Sequence, residues 1–259
     1  MRIYSNARQL MSEMGRDLWE MGTEVRPKTY QNKVIEGNDN FITKELMCKQ
    51  YCLTGLPDPE YLFVYTRTQE WANAEFKERI SGKSVNPGEA WKLNKGMWEQ
   101  FLVFGNYIGT NHKFDYTYSE RINRHTQNKK FNEMVCSTYL KDIILLLKHD
   151  PDTRKAVLSI FNPSMDADNL DGTCRIPCSM YYDFLIRDGK LNITYHQRSS
   201  DFVQHFGDDV YLAYRLMQYV AEQVGVKPGN LIHTIDSLHS YKKDWILLKT
   251  SIDDLVDIK

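Results

Sequence analysis

Residues 179–199, "SMYYDFLIRDGKLNITYHQRS", constrain the fold of this chain more than any other stretch. Two β-rich runs flank Arg187-Asp188-Gly189-Lys190, and Asp-Gly is a favoured pair for a tight hairpin turn. An antiparallel strand pair is therefore expected here. Downstream, Val210, Ala213, Tyr214, Met217, Val220, Ala221 and Val224 recur at three- and four-residue spacing, which predicts one buried helix face. "GNLIHTIDSLHSY" then reads as a returning strand. Upstream, residues 130–149 read as a helix, "DPD" as its break and "RKAVLSIFN" as a strand. The N-terminal 22 residues predict an amphipathic helix, and "TKELMCKQYCL" also looks helical. Hairpins and helices alternate without a regular βαβ order, which predicts an α+β fold with a large sheet.

No repeat or composition shift marks a boundary, so residues 1–259 are expected to form a single domain. "ISGKSVNPGEAWKLNKGMW" is rich in turn residues, and residues 83–113 look like an insertion. The net charge of -1 gives no global basic field for nucleic acid or a membrane surface. No run of about 18 apolar residues is present. The five cysteines, Cys48, Cys52, Cys136, Cys174 and Cys178, are odd in number and follow no secretion signal. Reduced thiols in a cytoplasm are the expectation. Two Cys-x3-Cys pairs invite a zinc test, but neither has the surroundings of a zinc site, and no metal is expected.

The chemistry is concentrated toward the C-terminal end. Arg154 and Lys155 follow Asp-Pro-Asp, Cys178 follows Pro177, and Gln197, Arg198 and Ser199 end the second strand of the hairpin. Arginines and hydroxyls are what a phosphate needs. Singly, each of these reads as a solvated strand end or a packed thiol. Together, "DPDTRKAVLSIFNP", "IPCS", "YHQRSSD" and "DSLHSY" resemble, in order, four motifs of the thymidylate synthase superfamily. The resemblance covers about residues 150–245, and the N-terminal half matches only loosely.

The resemblance implies a large mixed sheet flanked by helices, in a sheet-to-sheet homodimer with shared active sites. It implies that Cys178 attacks C6 of a pyrimidine nucleoside monophosphate, and that 5,10-methylenetetrahydrofolate is the co-substrate. Arg198 and Ser199 would bind the 5′-phosphate, and Arg154 and Lys155 would reach the partner's phosphate. Arg26 matches the family's mobile phosphate arginine, with Lys28 as the alternative. His239 and Tyr241 would hold the 3′-hydroxyl, Gln197 would help position the nucleotide, and Asp201 would meet the pterin of the folate. Glu75, seven residues before Gly82, has the spacing of the family's catalytic glutamate, with Glu70 and Glu78 competing. Tyr118 would lie near the pocket, and Trp91 and Trp98 are both candidates for its tryptophan.

Two departures bear on the substrate. Thymidylate synthases carry an asparagine eleven residues after the phosphate arginine, and that register here gives Asp209. Deoxycytidylate hydroxymethylases of large virulent phages carry aspartate there. On this reading Asp208 is the N-cap of the following helix and Asp209 reads the base. Cytosine presents a 4-amino donor, which a carboxylate accepts, whereas it would oppose the uracil C4 oxygen. The second departure is Ser179, where synthases have histidine. A small residue there would leave room for water. The expected reaction is therefore hydroxymethylation of dCMP at C5. Alternatives are methyl or hydroxymethyl transfer to dUMP, CMP or dCMP, or a catalytically silent member that binds nucleotide or RNA.

Overall fold

The Asp188-Gly189 turn forms as the sequence predicts, with φ of 51° and 69° at its two central residues. Both lie in the left-handed region that a two-residue hairpin loop of this hand requires. The computed structural model describes residues 1–31, 33–65, 68–103, 112–123, 139–166 and 175–257. Its strands are β1 (Arg2–Tyr4), β2 (Thr23–Val25), β3 (Thr29–Tyr30), β4 (Lys33–Val34), β5 (Thr43–Leu53), β6 (Val157–Ser159), β7 (Ser179–Arg187), β8 (Lys190–Asp201) and β9 (Lys227–Tyr241). Among the described residues one sheet runs β1-β5-β9-β8-β7-β6, with β2 also on β5 and with β3-β4 as a separate ribbon. The β1–β5 and β8–β9 pairs are parallel and the others antiparallel, so the sheet is mixed.

The helices are α1 (Ala7–Met21), α2 (Gln69–Arg79), α3 (Lys95–Trp98), α4 (Tyr118–Asn123), α5 (Leu140–His149), α6 (Pro163–Asp166), α7 (Gly207–Val224), α8 (Trp245–Lys249) and α9 (Ile252–Asp257). None of the described helices is long and apolar enough to cross a membrane. α7 buries Val210, Ala213, Tyr214, Met217, Val220 and Ala221 against β8 and β9, as its spacing predicts. Each large apolar side chain buried in this way stabilises the fold by about 1.5–3 kcal/mol.

Three local expectations need correction. The run "TKELMCKQYCL" is strand β5, not a helix; its ladders to β9, β1 and β2 override a sequence that suits either state. The N-terminal segment begins as β1, and α1 starts at Ala7, capped by Asn6. Asp208 is not the N-cap of the helix that follows β8. A π-helical turn, Phe202–Phe206, precedes α7, and Asp201 caps it by accepting from the backbone N–H of Val203 and Gln204 at 3.1 and 3.2 Å. Asp208 is buried in the first turn of α7. Gly207 is required at this junction, because a Cβ there would lie 1.8 Å from the Leu62 carbonyl oxygen. The helix read over 130–149 is described over Leu140–His149, and residues 130–138 lie outside the described residues, as do Cys136 and Cys174.

Candidate active site

The hairpin register builds the first wall of a cavity. Ser179 pairs with Gln197, so Cys178, just before β7, faces Arg198 across the sheet, and the Arg198 N–H donates to the Cys178 carbonyl at 2.9 Å. Register shifts between Ser179 and Tyr181, a β-bulge that bends the strand directly beside the thiol. Parallel pairing of β8 with β9 sets Ser199 beside Ser237 and Asp201 beside His239. A cavity of about 390 Å³ opens over these strand ends. Its lining includes Cys178, Arg198, Ser199, Asp201, Asp209, His239 and Tyr241.

The Cys178 thiol sits among opposed charges. Burial pushes the Cys178 thiol up, Arg198 pulls it down, Asp209 pushes it up, and Arg175 pulls it down. Arg198 Nη2 is 4.0 Å from Sγ, while Nε and Nη2 donate to the carbonyls of Pro177 and Ile176 at 3.0 and 2.8 Å. The loop carrying the thiol is thus tied to the guanidinium. Asp209 accepts on Oδ2 from Gln197 Nε2 at 2.8 Å and from Ser200 Oγ at 3.1 Å. Burial, with Arg198 adding to it, pushes His239 down to about 4, so near neutral pH it offers a neutral imidazole. Burial pushes the Asp201 carboxyl up to about 7, which makes it a proton donor or acceptor near neutral pH.

The second wall comes from the N-terminal half. Glu75 and Glu78, both on α2, line the cavity; Glu70 is exposed and does not. Glu75 Oε1 accepts from Arg79 Nε at 2.9 Å, and the Arg79 guanidinium lies 4.3 Å from the Tyr118 ring centre. Glu78 accepts from the N–H groups of Glu89 and Ala90 at 2.6 and 2.9 Å and so anchors the 83–101 segment. Tyr118 lies against the loop that carries Cys178, and its hydroxyl is 3.5 Å from the Ser179 N–H. Trp91, Met97, Trp98 and Phe101 complete this wall, so both candidate tryptophans face the cavity.

Several expected placements change. Arg26 does not line the cavity; it is exposed and pairs with Asp39 at 3.1 Å. Lys28 is likewise exposed and pairs with Glu36. Gln197 does not face the cavity directly: it is fully buried behind Asp209 because its strand position points into the core. The Ser179 hydroxyl bonds Tyr195 at 2.6 Å and is not part of the lining, so it vacates no room there. Arg154 and Lys155 are exposed and lie off the cavity of their own chain. No cluster of His, Cys, Asp and Glu suited to a metal ion occurs among the described residues.

No motif singles out Arg175, which lies three residues before Cys178. Its side chain is buried among Phe101, Tyr116, Trp98 and Phe114, with ring centres 4.7, 5.1, 5.9 and 6.0 Å away. Nε approaches Gln31 Oε1 at 3.4 Å, and Nη1 has no hydrogen-bond partner. A basic residue so near Cys178 was the available signal.

The thymidylate synthase family profile matches residues 83–254, more than half of the chain. A Methanosarcina barkeri protein provisionally named a thymidylate synthase is 31% identical over 140 residues, covering 54% of this chain and 58% of that one. The deoxyuridylate hydroxymethyltransferase of Bacillus phage SP01 is 33% identical over 181 residues, covering 64% of this chain and 46% of that one. The chain thus spans about half the length of the curated relatives it matches. Thermostable thymidylate synthase A from Bacillus subtilis superposes with a TM-score of 0.69 at 18% identity, over 96% of this chain and 84% of that one. With a mixed sheet whose strand ends carry a cysteine–arginine cavity, and with the profile match across that region, the chain belongs to the thymidylate synthase family.

Proposed function

We propose that the protein is a folate-dependent C5 transferase that converts dCMP to 5-hydroxymethyl-dCMP. The observation that carries this reading is Asp209, an acceptor-only carboxylate in the cavity that also holds Cys178 and Arg198. The Cys178 thiolate adds to C6 of the pyrimidine, and C5 becomes nucleophilic. Methylenetetrahydrofolate supplies the one-carbon unit. The flat aromatic surfaces of Trp91, Trp98 and Phe101 suit the stacking of its rings, and Asp201 supplies a polar group in the same cavity. Glu75 organises water and proton transfer. C5 attacks the one-carbon unit; C5 then loses its proton and the C–N bond to the folate breaks, so tetrahydrofolate leaves as an exocyclic methylene forms; water then adds to that carbon, the C5–C6 double bond returns and the thiolate is expelled. As the thiolate adds, N3 becomes basic, and Asp209 can accept from N3–H as well as from the 4-amino group.

The phosphate is read by Arg198 and Ser199, and the sugar by His239 and Tyr241. Arg154 and Lys155, free of their own cavity, are suited to completing the site of a second copy in a homodimer. Mixing inactive Cys178→Ala and Arg154→Ala subunits is expected to restore activity after subunit exchange; failure despite proven exchange counts against shared sites. The function itself is tested by incubating protein and methylenetetrahydrofolate with dCMP or dUMP and weighing the products. A mass gain of one CH2O on dCMP is expected, and a methylated product or exclusive use of dUMP overturns it. The dUMP reading is favoured by one specific observation, the phage relative named for deoxyuridylate. That relative's name also supports the hydroxymethyl outcome, which Ser179 does not.

A further inference from the structure

Behind Asp209 lies a chain of buried polar groups. Tyr51, in β5, pairs across the ladder with His233 in β9, and its hydroxyl is 2.8 Å from His233 Nδ1. His233 Nε2 is 2.8 Å from Gln197 Oε1, and Gln197 Nε2 is 2.8 Å from Asp209 Oδ2. Tyr51, His233 and Gln197 are each 0% exposed. The His233 ring is stacked on Tyr195, 4.5 Å away at 17°, and lies parallel to Phe206, 6.1 Å away at 7°. The imidazole therefore has no room to turn away.

The chemistry permits one direction of donation. An ionised carboxylate only accepts, so Gln197 must present its NH2 to Asp209 and its carbonyl to His233. His233 Nε2 must then carry the proton. Burial pushes His233 down to about 3, so the ring is neutral and Nδ1 accepts. Burial holds Tyr51 well above the ordinary phenol range, so its hydroxyl donates. Every donor meets an acceptor from Tyr51 to Oδ2. The reversed chain would set the Gln197 carbonyl against the Asp209 carboxylate, which requires a protonated Asp209. Oδ1 takes neither of the bonds from Gln197 and Ser200.

We propose that Tyr51, His233 and Gln197 form a one-way hydrogen-bond relay that positions residue 209 and thereby sets which pyrimidine base the cavity accepts. The proposal rests on the reading of Asp209 given above. The three are positioning residues; none touches the base. With aspartate at 209 the relay fixes the plane of the carboxylate, whose second atom, like the first, is an oxygen. With an amide at 209 the same relay would hold oxygen inward and NH2 outward. Its polarity thus converts one atom of difference into opposite base preferences.

The test measures kcat/KM for dCMP and dUMP in the parent, in Asp209→Asn, in His233→Phe and in the double variant. Asp209→Asn is expected to move the ratio toward dUMP by at least about tenfold. His233→Phe is expected to pull the ratio toward unity by about fivefold in both backgrounds. The two shifts therefore have opposite signs, against dCMP in the parent and against dUMP beside Asp209→Asn. A purely structural role gives the same sign, or no shift, in both, and that result overturns the relay. If Asp209→Asn itself leaves the ratio unchanged, the base reading fails and the relay loses its specificity role with it.

Tyr51→Phe, which removes one hydroxyl, gives the same signs if His233→Phe does not fold. Gln197→Glu sets a second carboxyl against Asp209 and raises its pKa. dCMP binding by a Cys178→Ala, Gln197→Glu protein should then need a higher pH than binding by Cys178→Ala. Groups whose charge couples to Asp209 include Tyr51, Tyr118, Cys178, Tyr182 and Tyr195, and Arg198, Asp201, Asp208, Glu75, Glu78 and Arg79 line the same cavity. Burial keeps the tyrosines protonated and the Cys178→Ala background removes the thiol; Asp201, pushed up to about 7, titrates in both proteins, so the difference between the two profiles reads residue 209. An unchanged pH profile refutes the relay.

Discussion

The two walls of the cavity are built by different means. On the sheet side, Cys178, Arg198, Ser199, Asp201 and His239 are placed by ladder register, and each position follows from its neighbour across a strand. On the opposite side, Glu75 and Glu78 project from α2, while Trp91, Trp98 and Phe101 sit on short helical turns anchored by the Glu78 carboxylate. The first wall holds the groups to which the proposed function assigns bond making and breaking. The second supplies apolar surface and the glutamates to which the proposed function assigns proton transfer. A ladder fixes atoms to within a fraction of an ångström, which covalent attack demands, whereas stacking on an aromatic wall tolerates more.

The largest expected effect lies on the sheet wall. Cys178→Ala should abolish turnover while nucleotide binding survives, because Arg198, Ser199 and Asp209 remain; substantial product from that variant would refute the covalent route. Next comes the α2 wall, where Glu75→Gln should lower kcat by about a hundredfold. Glu70→Gln should leave it within about twofold, since Glu70 is exposed off the cavity. Equal losses in both would mean that the spacing to Gly82 does not identify the catalytic glutamate.

A smaller effect joins the two walls. Arg175 lowers the Cys178 pKa and packs against Phe101 and Trp98. Removing the cation in Arg175→Met should let the thiol pKa rise further. The acid limb of the kcat/KM profile then moves to higher pH, so activity lost near neutrality returns as pH rises. A uniform loss at all pH values would show that Arg175 only shapes the aromatic wall. The smallest effect belongs to Arg26, whose pair with Asp39 is exposed. Arg26→Ala should change stability by about 1 kcal/mol or less, read as an unfolding midpoint. A fall in nucleotide affinity as large as that of Arg198→Ala would show that ligand binding draws Arg26 into the cavity.

The contrast between the walls also governs what could be read from the residues. The hairpin is legible because Asp188-Gly189 is local chemistry, and α7 because its apolar spacing survives any context. Asp209 was found by counting from Arg198, since a fixed turn and helix follow the strand. Asp208 as N-cap was misread for the same reason: counting gives register but not where a helix begins, and the buried Asp201 starts it earlier. β5 was misread because a segment with Leu, Met, Lys and Gln suits a helix until strands on both sides claim its backbone.

By itself the sequence determined the α+β order, the hairpin, the family and a set of residues that the fold gathers around one cavity, because these depend on neighbours in the chain or on a fixed count along it. Only the tertiary structure decided that Gln197 stands behind Asp209 rather than in the cavity, that Tyr51 and His233 extend that contact, and that Arg175 is held among four rings. Tyr51 and His233 are 182 residues apart, and no local pattern encodes a hydrogen bond across that separation. Strand pairing brings them together, and burial, by excluding water, makes their protonation states and the direction of donation definite.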